Sequence, residues 1–198
     1  MARKKSAAKK KPAKRATKRA APKRAAPKRA APKRAAPKKV MPIPPGMRTA
    51  TPYMIVAGCA DALAFYAKAF GAKELMRMPM PGGRIGHAEF KIGDSVIYIG
   101  DEMPEMGARG PKSLGGSATH VHLYVKDVNA FWDRAVAAGC TVAMPLADMF
   151  WGDRYGKLMD PFGHQWSVAQ HVKDLSPSEM AKAAEAAFAA MPKPGGGA

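Results

Sequence analysis

The segment ATHVHLYVKDV, residues 118–128, alternates strictly. On an extended strand His120, His122 and Tyr124 share one face, and Val121, Leu123 and Val125 share the other. Imidazoles at i and i+2 admit two chemistries. They can ligate a metal, although Cβ atoms two apart on a strand lie roughly 7 Å from each other. They can also stand in a pocket wall, where an imidazole titrating near neutral pH serves as a catalytic general base. His87 and Glu89, in HAEF, repeat the spacing. On neighbouring strands these four side chains would form a chelate; otherwise they are polar pocket or rim residues. The sequence does not bring a nucleophile, a base and an orienting group together.

Further candidates lie on either side. In WGDRYGK, residues 151–157, Asp153 and Arg154 form either a local ion pair in a turn or, through Arg154, a clamp on an anionic ligand group. Tyr98, Tyr124 and Trp166, with Trp151 and Tyr155, are pocket-lining candidates or plain core. PGGRIG reads as a hairpin connection, because no helix follows it to present an N-terminus to a phosphate. Cys59 and Cys140 are isolated, which gives neither a disulfide framework nor zinc-finger spacing and suits a reducing cytoplasm.

The elements that must position these residues follow from periodicity. TPYMIVA, 51–57, predicts a strand, and Leu63, Tyr66, Ala67 and Phe70 predict the stripe of a helix over 60–70. GAKELMRM, RIGHAEFKI and SVIYIGD are strand-like. The order then repeats: strand THVHLYV; a helix opened by Asp127 that buries Val128, Phe131, Trp132, Ala135 and Val136; and strands TVAMPLAD, RYGKLMD and HQWSVAQH. Gly71 and Gly139 each close a helix. An internal duplication is the simplest reading. Ser176, Pro177 and Glu179 then predict a capping box. The helix they open carries Met180, Ala183, Ala184, Ala187, Phe188 and Met191 on one apolar face.

The charge is segregated. The chain has 33 Lys and Arg against 15 Asp and Glu. Eighteen of those bases fall in residues 1–39, which hold no acid, so the remainder is neutral. The bases include Lys9, Lys10, Lys11, Lys14, Arg15, Lys18 and Arg19, then Lys23, Arg24, Lys28, Arg29, Lys33, Arg34, Lys38 and Lys39 in AAPKR pentads. Such a segment cannot bury enough apolar surface to order itself, and it seeks an acidic partner. The organisation expected is a disordered basic tail and proline linker over 1–47, a domain over 48–175, a helix over 176–191 and a loose end over 192–198. No apolar run has the length of a membrane span, no apolar stretch follows the charged start, and prolines interrupt any amphipathic presequence. A cytoplasmic protein with no membrane partner is expected.

The stretches FYAKAFGAKELMRMPMPGGRIGHAEFKIGDSVIYIGDE, HLYVKDV and GDRYGKLMDPFGHQWSVAQHVKDLSPSEM resemble the vicinal oxygen chelate superfamily of glyoxalases, bleomycin resistance proteins and dioxygenases. Within it they resemble the PhnB-like branch, over roughly residues 50–182. The resemblance implies an α+β fold of paired βαβββ modules whose curved mixed sheets form a cup, a small-molecule ligand and a homodimer. Metal-dependent members carry four ligand positions, which fall here on Thr51, Ile97, His120 and Ser167. Only His120 keeps a metal-binding side chain, so no cofactor is expected and a divalent metal is the lesser alternative. The functions implied are small-molecule binding of the resistance-protein kind, or a lyase, isomerase or dioxygenase-like enzyme with an unusual metal site. The tail resembles the Lys/Ala/Pro tails of linker histones. That implies non-specific adhesion to nucleic acid phosphates, nucleoid association, and a third possible role in which the domain serves dimerisation.

Overall fold

The computed structural model describes residues 40–190. The basic tail, the residues that carry the nucleic-acid expectation, Met191 and the C-terminal end lie outside the described residues. From Met41 on the chain is one compact unit. Its first module comprises β1 (Tyr53–Val56), α1 (Cys59–Phe70), β2 (Lys73–Pro79), β3 (Ile85–Ile92) and β4 (Ser95–Asp101). A one-turn helix, α2 (Pro111–Leu114), follows. The second module comprises β5 (His120–Tyr124), α3 (Val128–Ala138), β6 (Thr141–Asp148), β7 (Asp153–Met159) and β8 (Gln165–His171). The helix α4 (Pro177–Ala189) closes the described chain. Among the described residues, no helix is long and apolar enough to cross a membrane.

Each module makes its own four-stranded sheet, in the orders β1-β4-β3-β2 and β5-β8-β7-β6. The first and last strands of each module run parallel, and the other pairs are antiparallel. The duplication extends to register: Tyr53 pairs with Tyr98 in sheet 1 as His122 pairs with Ser167 in sheet 2.

Both helices start where the sequence demands. Asp127 accepts the Ala130 N–H at 3.0 Å and caps α3. Gly58, at the N-cap of α1, has no side chain to offer, so Asp101 at the end of β4 accepts the Gly58 and Cys59 N–H groups instead, at 3.0 and 2.8 Å. Gly71 ends α1 in the left-handed region at φ 67°, and Ser176 and Glu179 form the expected capping box on α4. Two details of the stripes differ from expectation. Ala67 is exposed, because the α1 stripe runs through Ala62, Leu63, Tyr66, Ala69 and Phe70, and Val136 is 38% exposed at the edge of α3.

One apolar core joins the modules. Tyr66 of α1 stacks on Phe70 and on Phe90 of sheet 1, and meets Trp166 of sheet 2 edge-on at 5.4 Å. Phe70 stacks on Phe131, which ties α1 to α3. The polar ends of Tyr66 and Trp166 both donate to Asp160 Oδ2, at 2.7 and 2.9 Å. Its other oxygen takes the Phe162 and His164 N–H groups. This buried carboxylate is therefore fully hydrogen-bonded, which is what permits it in a core. Because both sheets turn their helix-facing sides into this core, their opposite faces look away from it. A single chain presents two open walls, which adjoin at a cleft lined by Tyr53 and Met54 of β1 and His120, Val121 and His122 of β5.

Candidate functional site

Residues paired across strands share a face. On the outer face of sheet 2 this gives three rows. The first is His120, Gln165, Met159 and Thr141; the second His122, Ser167, Lys157 and Met144; the third Tyr124, Ala169, Tyr155 and Ala147. The matching central row of sheet 1 is Tyr53, Tyr98, Glu89 and Met76.

The second row of sheet 2 is the most reactive in type. Although His122 lies at the surface, its Nδ1 is turned onto the buried Ser167 hydroxyl at 2.7 Å. Tyr155 stacks beside its ring and Tyr124 meets it edge-on at 4.7 Å. Partial burial holds the imidazole below its ordinary pKa; Asp153 opposes this shift and His120 adds to it. His122 is thus poised as a neutral base or acceptor. Small, buried Ala169 pairs with both Tyr124 and Tyr155, so the two rings flank a position with no long side chain.

Asp153 anchors one end of this face. It is 4% exposed and accepts from Tyr124 Oη at 2.9 Å, Trp151 Nε1 at 3.1 Å and His171 Nδ1 at 2.8 Å. Burial pushes its pKa up, but these hydrogen bonds prevail and leave it lowered. His171 Nε2 also reaches Asp174, at 2.9 Å, and the bonds to Asp174 and Asp153 raise the imidazole pKa.

On sheet 1, His87 Nδ1 lies 3.2 Å from Tyr53 Oη, and its Nε2 lies 3.6 Å from Glu89. Tyr98 packs edge-on against His87 at 4.8 Å and donates its hydroxyl to the Met47 sulfur at 3.6 Å. The imidazole and carboxylate that the sequence puts on one face thus come within ion-pair distance.

Several expectations need correction. Trp166 does not line the outer face: it is wholly buried on the helix side, where its indole completes the core. Arg154 also points to the helix side. It pairs with Asp148 at 2.8 Å and reaches Asn129 of α3 at 3.4 Å, so neither the Asp153 pair nor a clamp on the outer face forms. His87 and Glu89 on β3 and the histidines on β5 belong to different sheets, so the four do not form one chelate. Ile97 is a core residue, 1% exposed, and Tyr98 holds the register equivalent to Ser167. Among the described residues no three His, Cys, Asp or Glu side chains are grouped as metal ligands. The ligand positions carry Thr51, Tyr98, His120 and Ser167, a donor set that does not fit a catalytic divalent metal. Tyr53, Lys157 and the bond between His122 and Ser167 were missed, although period-two alternation of YMIV and RYGKLM carried the first two.

Comparison with known proteins places this geometry. The Glyoxalase/Bleomycin resistance protein/Dioxygenase superfamily matches over residues 49–168. An uncharacterized protein of Mycobacterium tuberculosis is 44% identical over 133 residues, covering 66% of this chain and 78% of the relative. Protein YjdN of Escherichia coli is 27% identical over 139 residues, covering 60% and 92%. A Pseudomonas aeruginosa protein of known structure superimposes with a TM-score of 0.52 at 26% identity, covering 64% of this chain and all of that one. Two register-matched βαβββ modules over the matched residues make this chain a member of the Glyoxalase/Bleomycin resistance protein/Dioxygenase superfamily.

Proposed function

We propose that the chain binds a small organic molecule on the outer face of sheet 2, and that sheet 1 of a second copy closes the site. The observation that carries this reading is the row His122–Ser167–Lys157 beside Ala169, which Tyr124 and Tyr155 flank. It combines hydrogen-bonding groups with flat apolar surface, the usual composition of a ligand site. A closing partner is favoured because Tyr53 and Tyr124 are 52% and 64% exposed and both walls face away from the core. GDRYGK and DPFGHQW favour the PhnB-like branch. The test is mass spectrometry of small molecules released from purified full-length protein. A compound retained by wild type and lost in His122→Ala is expected; equal retention by both contradicts the reading.

The segregated charge favours a second role. Eighteen bases in residues 1–39, against a neutral remainder, suit non-specific adhesion to nucleic acid. If about half engage at once, log affinity falls against log salt with a slope of roughly −8. A salt titration of duplex DNA binding checks this, and a slope near −1 contradicts it.

A further inference from the structure

The structure assigns His122 and Lys157, on either side of the buried Ser167, as a subsite for the oxyanion of the bound molecule. This inference rests on the ligand face proposed above and adds to it the chemical class of the ligand: a planar body carrying a carboxylate or phosphate.

The argument begins with Lys157. It is half-buried on the outer face, between Ser167 and Met144. Among the described residues it makes no ion pair. The nearby acids are committed elsewhere. Asp153 takes three donors and Asp148 holds Arg154. A cation kept partly out of water in one row with the His122 imidazole, and without a carboxylate among the described residues, is arranged to receive an anion. The neighbouring row supplies the rest of the ligand's shape, since Tyr124 and Tyr155 flank Ala169 and would hold a flat ring.

His122 couples the subsite to pH. The groups around it are His120 and Tyr124 on β5, and Asp153, Tyr155 and Lys157 on β7. Tyr53 and His164 line one shared cleft with it, Arg48 a second, and Asp94 and Lys126 a third. In the free protein the imidazole is held low. An oxyanion bound beside it favours the protonated ring, so binding raises its pKa and takes up a proton. Affinity should then fall as pH rises through the raised value.

The test is NMR of the full chain at fixed sodium chloride, reading the His122 ring and the Tyr124 and Tyr155 rings. The probes are benzoate, inorganic phosphate and benzyl alcohol. Benzoate is expected to perturb all three rings and to raise the His122 pKa. Phosphate should move His122 alone, and benzyl alcohol only the tyrosines. Lys157→Met should weaken benzoate roughly tenfold or more, and Lys157→Arg should retain it. Equal affinity for benzoate and benzyl alcohol, or benzoate affinity unchanged in Lys157→Met, overturns the subsite. If benzyl alcohol still perturbs the tyrosines in that case, the ligand face survives. If no probe moves any of the three rings, both readings fall.

Discussion

The two sheets share strand order, register and a core, yet their outer faces carry different side chains. At corresponding positions sheet 1 carries Tyr53, Tyr98, Glu89 and Met76, and sheet 2 carries His122, Ser167, Lys157 and Met144. On sheet 1 the polar groups face one another: Glu89 lies 3.6 Å from His87, and His87 meets the Tyr53 hydroxyl. On sheet 2, among the described residues, the cation pairs with no carboxylate and the imidazole has one nitrogen left over. A duplicated framework fixes where side chains stand, but not whether they are already occupied. Sheet 1 offers a self-contained aromatic wall, and sheet 2 the groups that still need a partner.

The comparison predicts that helix-side and outer-side changes differ most in cost. Trp166→Ala removes a fully buried indole and leaves Asp160 short of a donor. It should destabilise the protein by about 3–5 kcal/mol. Tyr53→Ala on the outer face should cost less than about 1 kcal/mol. Urea unfolding of the two variants measures the gap, and comparable losses would mean that the outer face is core after all.

A smaller effect sharpens the contrast at the far end of sheet 2. The His171 pKa is raised by Asp174 and Asp153, so its contribution is complete below the ordinary histidine value and is lost as pH rises through the raised one. The Asp153 pKa is lowered, so its contribution is present above the ordinary aspartate value and is lost as pH falls through the depressed one. The clamp from β8 to the segment before α4 should therefore hold best from mildly acidic pH up to the His171 transition. Hydrogen exchange over residues 172–176 should quicken above that transition in wild type and show no such step in His171→Asn. A step retained in the variant would place the titrating group elsewhere.

Much of this fold was legible because its signals are local. Alternation in THVHLYV, the stripe of α1 and the Ser176 capping box each depend on neighbouring residues, and the structure follows them. The site was less legible because it depends on which face a strand turns inward. Trp166 reads as pocket or plain core and Arg154 as a clamp or a local ion pair until their alternation is followed, which puts them beside Leu158 and Gln170 on the helix side. One position of slip between β4 and β8 exchanged Ile97 for Tyr98. The contact of His122 with Ser167 joins positions 45 apart, which no local pattern announces.

Whether the two kinds of wall meet between copies can be asked by complementation. One variant, His122→Ala, spoils sheet 2. A second, Tyr53→Ala with Tyr98→Ala, spoils sheet 1. Each expressed alone should lose the co-purifying small molecule. In a twofold dimer of mixed variants, one of the two composite sites has both walls intact, so co-expression should restore about a quarter of the wild-type ligand content under random pairing. Mass spectrometry of released ligand gives the number. Recovery near that level is the expected result. No recovery on co-expression, with both variants still dimeric by sedimentation, would contradict a site built from sheet 2 of one copy and sheet 1 of another.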